Sequence, residues 1–155
     1  MANVDKAQNF VDVFFSKKLK YNTLPQQFVN CTLPKEEWTH EAHLITCVWH
    51  LENYDQLESI CLLRSRIITY NHSVGGQNTT SGGYHETLTQ FYVKVIDHFM
   101  QNLNNPHLGF EEKCERLLKS PIANREYPLE YYTKELLFSL TCRAAWIEPD
   151  LKALE

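Results

Sequence analysis

Glycine is scarce in this chain: there are five in 155 residues, and four of them form two pairs, Gly75-Gly76 and Gly82-Gly83. Such a distribution excludes a collagen-like or linker-rich protein and concentrates backbone freedom in one loop. Cysteine is also sparse and odd in number. Cys31, Cys47, Cys61, Cys114 and Cys142 are widely spaced and never form C-x-x-C, which argues against a disulfide framework and fits reduced, mostly buried thiols in a cytoplasm. No apolar run approaches the roughly 18 residues that a spanning helix needs. Residues 1–19 carry Asp5, Lys6 and Asp12 among their apolar positions and lack the unbroken hydrophobic stretch of a signal peptide. The three Asn-x-Ser/Thr matches, at Asn30, Asn71 and Asn78, are therefore read as chance. Positive charge is lacking as well. Fifteen Lys and Arg face nineteen Asp and Glu, for a net charge of -4, which excludes a general nucleic-acid binder. The short Lys17-Lys18-Leu19-Lys20 cluster reads as a solvated helix end.

Strand-type alternation is missing too, and helical periodicity takes its place. The spacing predicts a single all-α domain, a compact bundle of five to seven helices, spanning residues 1–155. Phe10, Val13 and Phe14 mark a first amphipathic helix over about 5–18, and Pro25 and Pro34 punctuate a loop over 22–33. A second helix runs from Pro34 or Thr39 to Leu51. A third opens at Tyr54-Asp55, with Leu57, Ile60, Leu63 (or Arg64) and Ile67 on one face. The irregular stretch 71–83 then separates it from a fourth helix over about 84–103, followed by a fifth at 110–118 and a sixth at 128–140. The tail Trp146 to Leu151 is apolar enough to pack back on the body.

Two motifs carry chemistry. In Trp38-Thr39-His40-Glu41-Ala42-His43-Leu44, His40 and His43 stand about 60° apart on one helical face, a turn apart, and can serve one centre. Cys47 and His50 continue the same strip, Cys47 as a buried neighbour and His50 as a more distant or surface group. In Gly83-Tyr84-His85-Glu86-Thr87, His85 offers a third imidazole and Glu86 a carboxylate. His40, His43 and His85 are the expected ligands of an open, catalytic-type divalent metal site for Zn, Fe, Mn or Ni. Glu86 is the expected catalytic group, as general base or as the partner that orients an imidazole. The helix start beside the loop suits an anionic group, and Arg64, Tyr70, Asn71 and Tyr84 are the expected substrate contacts.

Plainer readings compete with these. Thr39 also reads as an N-cap, with His40 in the first turn and His43 packed on Trp38. Glu86, three residues after Gly83, also fits a capping box. The glycine loop matches neither G-x-x-x-x-G-K-S/T nor G-x-G-x-x-G, and His40-Glu41-Ala42-His43 is one residue short of H-E-x-x-H. His72, His98 and His107 have no patterned neighbours and read as surface residues.

W-T-H-x-x-H-L, the Tyr70-Asn71…Gly75 turn, G-Y-H-E-T and the closing W-x-E-P-D-L together resemble a family of small uncharacterised bacterial proteins. That resemblance implies a compact helical protein built around these motifs, and it implies no reaction. The residues themselves lead to the expectation of a cytoplasmic, metal-dependent enzyme, of hydrolase or oxygenase type, acting on a small polar or anionic molecule. Neither nucleic acid nor membrane is an expected partner, and a homodimer is left open. The competing expectation is a non-catalytic small-ligand-binding or interaction protein whose histidines are structural.

Overall fold

The computed structural model describes residues 20–154. The described residues are all-helical, with no strand among them, and pack as a compact bundle. The described part of α1 covers 20–29 and is followed by α2 (His40–Asn53), α3 (Gln56–Ser73), α4 (Glu86–Gln101) and α5 (Phe110–Leu118). Two short helices, α6 (Lys134–Leu137) and α7 (Leu140–Ala144), close the chain, and three 3-10 turns lie at Lys35–Glu37, Pro121–Ala123 and Tyr127–Glu130. The amphipathic segment expected over 5–18 lies outside the described residues.

Local chemistry explains most of the boundaries. Thr39 caps α2 by accepting the Ala42 N–H, which satisfies one of the orphan donors at a helix start. Asp55 caps α3 in a full capping box with Glu58. Helix α5 falls on the span that the periodicity predicts. α2 and α4 lie at the centre: α2 packs on α3, α4 and α5, and α4 packs on α2, α3, α5 and α7. Phe28, Val48, Tyr70, Phe91, Ile96 and Tyr132 are fully buried between them.

Three segments depart from the expected pattern. Residues 22–29, expected to be loop, are helical in spite of Pro25. A proline inside a helix costs about 3 kcal/mol, but Tyr21, Leu24 and Phe28 recur at helical spacing and bury one continuous face in the core, which outweighs it. This helix ends with Cys31 at φ 57°, the left-handed position of a Schellman turn closed by Thr32 N–H to Gln27 O. Leu57, expected on the inner face of α3, is 73% exposed, whereas Ile60 and Leu63 are buried. The third departure is the single helix expected over 128–140. It is instead a 3-10 turn and two short helices, because Thr133 and Ser139 each cap a new start, accepting from Leu136 N–H and Cys142 N–H.

The tail does fold back. Tyr132 donates its hydroxyl hydrogen to Ile147 O, and the Asp150 carboxylate takes both the backbone N–H and the hydroxyl of Thr133. Leu151 N–H closes on Tyr131 O, and the Lys94 ammonium sits over the Trp146 ring.

Several side chains hold the glycine loop: Thr79 Oγ1 accepts from Ser81 and Gly82 N–H, and Arg143 donates to Gly83 O and Tyr84 O. Asn78 Oδ1 accepts from Tyr84 N–H and from the Asn71 amide, so it ties the loop to α3 and to the start of α4. Gly83 stands at φ +76°, and a Cβ there would come within 2.6 Å of Asn78 Oδ1 and of Gln77 O. Gly75 has a similar φ of +75° but open space around it. Gly83→Ala is therefore expected to cost about 2 kcal/mol or more in urea unfolding, and Gly75→Ala only about 1 kcal/mol. Equal costs at the two sites would contradict this account of the loop.

Candidate functional site

A cavity of about 730 Å³ opens between the start of α2, the start of α4, and the turns that lead into α6. That volume lies within the range of small-molecule sites. His40, His43, His85, Asn71 and Tyr84 all line it, so the two histidine motifs do meet at one place. Arg64, Tyr70 and Glu86 do not line it. Tyr70 is fully buried and donates its hydroxyl hydrogen to Leu33 O at 3.0 Å, which makes it a strut between α3 and the end of the α1–α2 connection.

The three imidazoles differ in what their nitrogens already do. His85 is the N-cap of α4: Leu88 N–H donates to Nδ1 at 3.2 Å, and Nε2–H donates to Leu137 O at 2.8 Å. An amide N–H can only donate and a carbonyl can only accept, so the ring is the neutral Nε2–H tautomer with its one lone pair in use. His85 therefore has no lone pair free for a metal in this arrangement. Burial lowers its pKa, with the Leu137 carbonyl opposing.

His43 packs its ring on Trp38 at a centroid distance of 3.8 Å, and Trp38 in turn stacks on Phe28. Its Nδ1–H donates to Thr39 O at 2.7 Å, which leaves Nε2 as an acceptor without a protein partner among the described residues. Burial, first of the causes, pushes its pKa down to about 4. His40 lies edge-on to Tyr92, with its Nε2 buried and unpartnered among the described residues. Burial and then the charge of Arg125 lower its pKa.

His50 belongs to the core, not to a more distant shell of the site. It is fully buried, donates Nδ1–H to Thr46 O and accepts from the Arg66 guanidinium at Nε2, and burial brings its pKa to about 4. Cys47 is the buried neighbour that the helical strip suggested, and burial raises its thiol pKa. His72, His98 and His107 are on the surface. Among the described residues no group of three or more His, Cys, Asp and Glu side chains is arranged to hold a metal ion.

Glu86 is neither a free base nor a capping-box residue. It is the first residue of α4, with His85 as the cap, so it cannot reach back as the third helical residue does. Its carboxylate is 6% exposed and accepts four hydrogen bonds: two from the Arg64 guanidinium fork, one from Tyr84 OH at 2.8 Å and one from the Gln90 amide at 2.6 Å. The Arg64 bonds, ahead of the opposing effect of burial, hold its pKa down at about 2. A carboxylate so fully engaged has no capacity for taking a substrate proton near neutrality.

The spacing of the motifs gave no signal for Arg125. It lines the cavity from the irregular segment between two 3-10 turns, where no periodicity exists to direct attention to it. It has no hydrogen-bond or ion-pair partner among the described residues, and it lies near enough to His40 and His43 to lower the pKa of both. No Asp or Glu lines the cavity. Leu63, Ile67, Leu88 and Leu137 give it an apolar floor, and Trp38 and Tyr92 give it aromatic walls.

No protein-family model, curated protein or solved structure matches the chain.

The buried groups fix a direction for the pH dependence of stability. His43 and His50 have folded pKa values near 4, below the ordinary 6.5, so the unfolded chain binds more protons and stability falls as pH drops from about 6.5 to 4. Glu86 adds a second loss below about 4.5, complete as pH passes its folded value of about 2. Glu86→Gln is expected to cost about 2 kcal/mol at pH 7, a value kept modest because Arg64 is partly exposed. The same change should flatten the dependence below pH 4.5 and leave the limb between 6.5 and 4 intact. Urea titrations of both proteins across pH 3 to 8 measure this, and an unchanged acid limb would refute the role assigned to Glu86.

Proposed function

We propose that the protein binds a small organic anion with an apolar or aromatic body in this cavity, without a metal ion. The observation that carries the reading is the lining. Arg125 is its sole Arg or Lys and faces no carboxylate there, and most of the remaining surface is rings, leucines and isoleucine, with Thr39, Asn71 and Thr89 as smaller polar contributions. An unpaired guanidinium at the edge of an apolar cavity is a receptor for carboxylate or phosphate, since its planar fork matches their oxygens. The imidazoles favour binding over proton-transfer catalysis. A general base works best with a pKa near the working pH, and burial holds the His43 pKa near 4. Neutral rings of this kind are hydrogen-bonding groups at pH 7. The metal-dependent hydrolase or oxygenase expected from His40, His43 and His85 has less support, because the His85 lone pair is committed to Leu88 N–H.

The test pairs aromatic carboxylic acids with their neutral primary amides in calorimetry and thermal-shift assays. Acids are expected to bind and raise the melting temperature, and amides are expected to bind weakly. Arg125→Met should weaken acid binding about tenfold or more, the size of a lost charge-assisted hydrogen bond. Equal binding of acids and amides, or binding indifferent to Arg125→Met, would sink the proposal. Elemental analysis of untagged protein is expected to show substoichiometric transition metal, and dialysis against chelator should leave both the fold and acid binding unchanged.

A further inference from the structure

The cavity is lined by one cation and by an imidazole with its donor already used. His43 Nδ1–H is committed to Thr39 O, and the Trp38 ring against its face holds the ring in place. The nitrogen that remains can only accept. His85 cannot share this task, since both its nitrogens are occupied, and the Glu86 carboxylate is withdrawn into its own four bonds. The cavity therefore offers a positive donor at Arg125 and a neutral acceptor at His43. Arg125 and His43 line the same cavity, so one small molecule there has both groups within its surroundings.

We infer that the ligand is an apolar carboxylic acid that carries an O–H or N–H donor beside its carboxylate, the carboxylate on Arg125 and the donor on His43 Nε2. This rests on the anion-binding reading and names the second group that the site would recognise. An acid without the donor would leave His43 Nε2 desolvated and unpaired, which is the costly half of the hydrogen-bond asymmetry. Trp38 and Tyr92 favour an aromatic body, because offset or edge-on ring contacts add to area burial.

The experiment uses matched probes in titration calorimetry on the full chain: 3-phenyllactate against 3-phenylpropionate, and indole-3-lactate against indole-3-propionate. The hydroxy acid of each pair is expected to bind about tenfold tighter, the size of one net hydrogen bond. Its 2-methoxy ether, which cannot donate, should fall to the level of the deoxy acid. In His43→Phe, which keeps an aromatic ring against Trp38, the preference should shrink to within about twofold. His72→Phe, an exposed residue outside the cavity, should keep it. The methoxy comparison needs no variant, so it decides the matter even if His43→Phe folds poorly. Equal affinity of hydroxy, methoxy and deoxy acids, with binding still dependent on Arg125, would overturn the donor inference and leave the anion site standing. If no acid of any pair binds, the anion-binding reading falls and this inference falls with it.

Discussion

The buried polar start of α4 is the constraint around which the other elements are arranged. His85, Glu86 and Thr87 are three consecutive polar residues inside the protein, and each is satisfied by a different part of the chain. His85 bonds to Leu137 O at the end of α6, Glu86 takes the Arg64 fork from α3, and Thr87 donates to Ala145 O beyond α7. Ile147 N–H returns to the Thr87 hydroxyl and brings in the tail. Buried polar groups without partners cost more than their bonds gain, so these residues can be buried only if α3, α6 and the tail all come to them. Burial of a polar triplet thus specifies the relative placement of elements that apolar packing alone would leave free to slide.

The same junction explains why the cavity is so sparing of charge. The Glu86 carboxylate, next in sequence to the lining residue His85, is drawn away by Arg64, Tyr84 and Gln90, and that imidazole is spent on capping α4. The ring nitrogens and cation left on the cavity wall are those of a neutral His43, a half-buried His40 and the unpaired Arg125. Burial keeps the imidazoles unprotonated near neutrality, whereas Arg125 stands exposed at the rim, open to an incoming anion.

Much of this was legible from local chemistry. Thr39 as a cap, His43 against Trp38, the capping box at Asp55 and the end of α5 at Leu118 are settled within a few residues of chain. Pro25 misled because its local cost is visible in sequence whereas the packing of Tyr21, Leu24 and Phe28 is not. Thr133 and Ser139 split the last long helix by a choice between capping and helix interior that composition leaves open.

The sequence by itself determined the all-helical character, most helix starts and the pairing of two imidazoles on one face of α2, because each depends on interactions three or four residues apart. It also marked both motifs that border the cavity. Only the tertiary structure decided what their nitrogens and carboxylate oxygens are bonded to. Leu137 is 52 residues from His85, and Arg64 is 22 from Glu86, so neither partner leaves a trace in local spacing. The lone pair of an imidazole is free or occupied according to those distant partners, and a metal-ligand motif and a helix cap share the same letters until the fold supplies them.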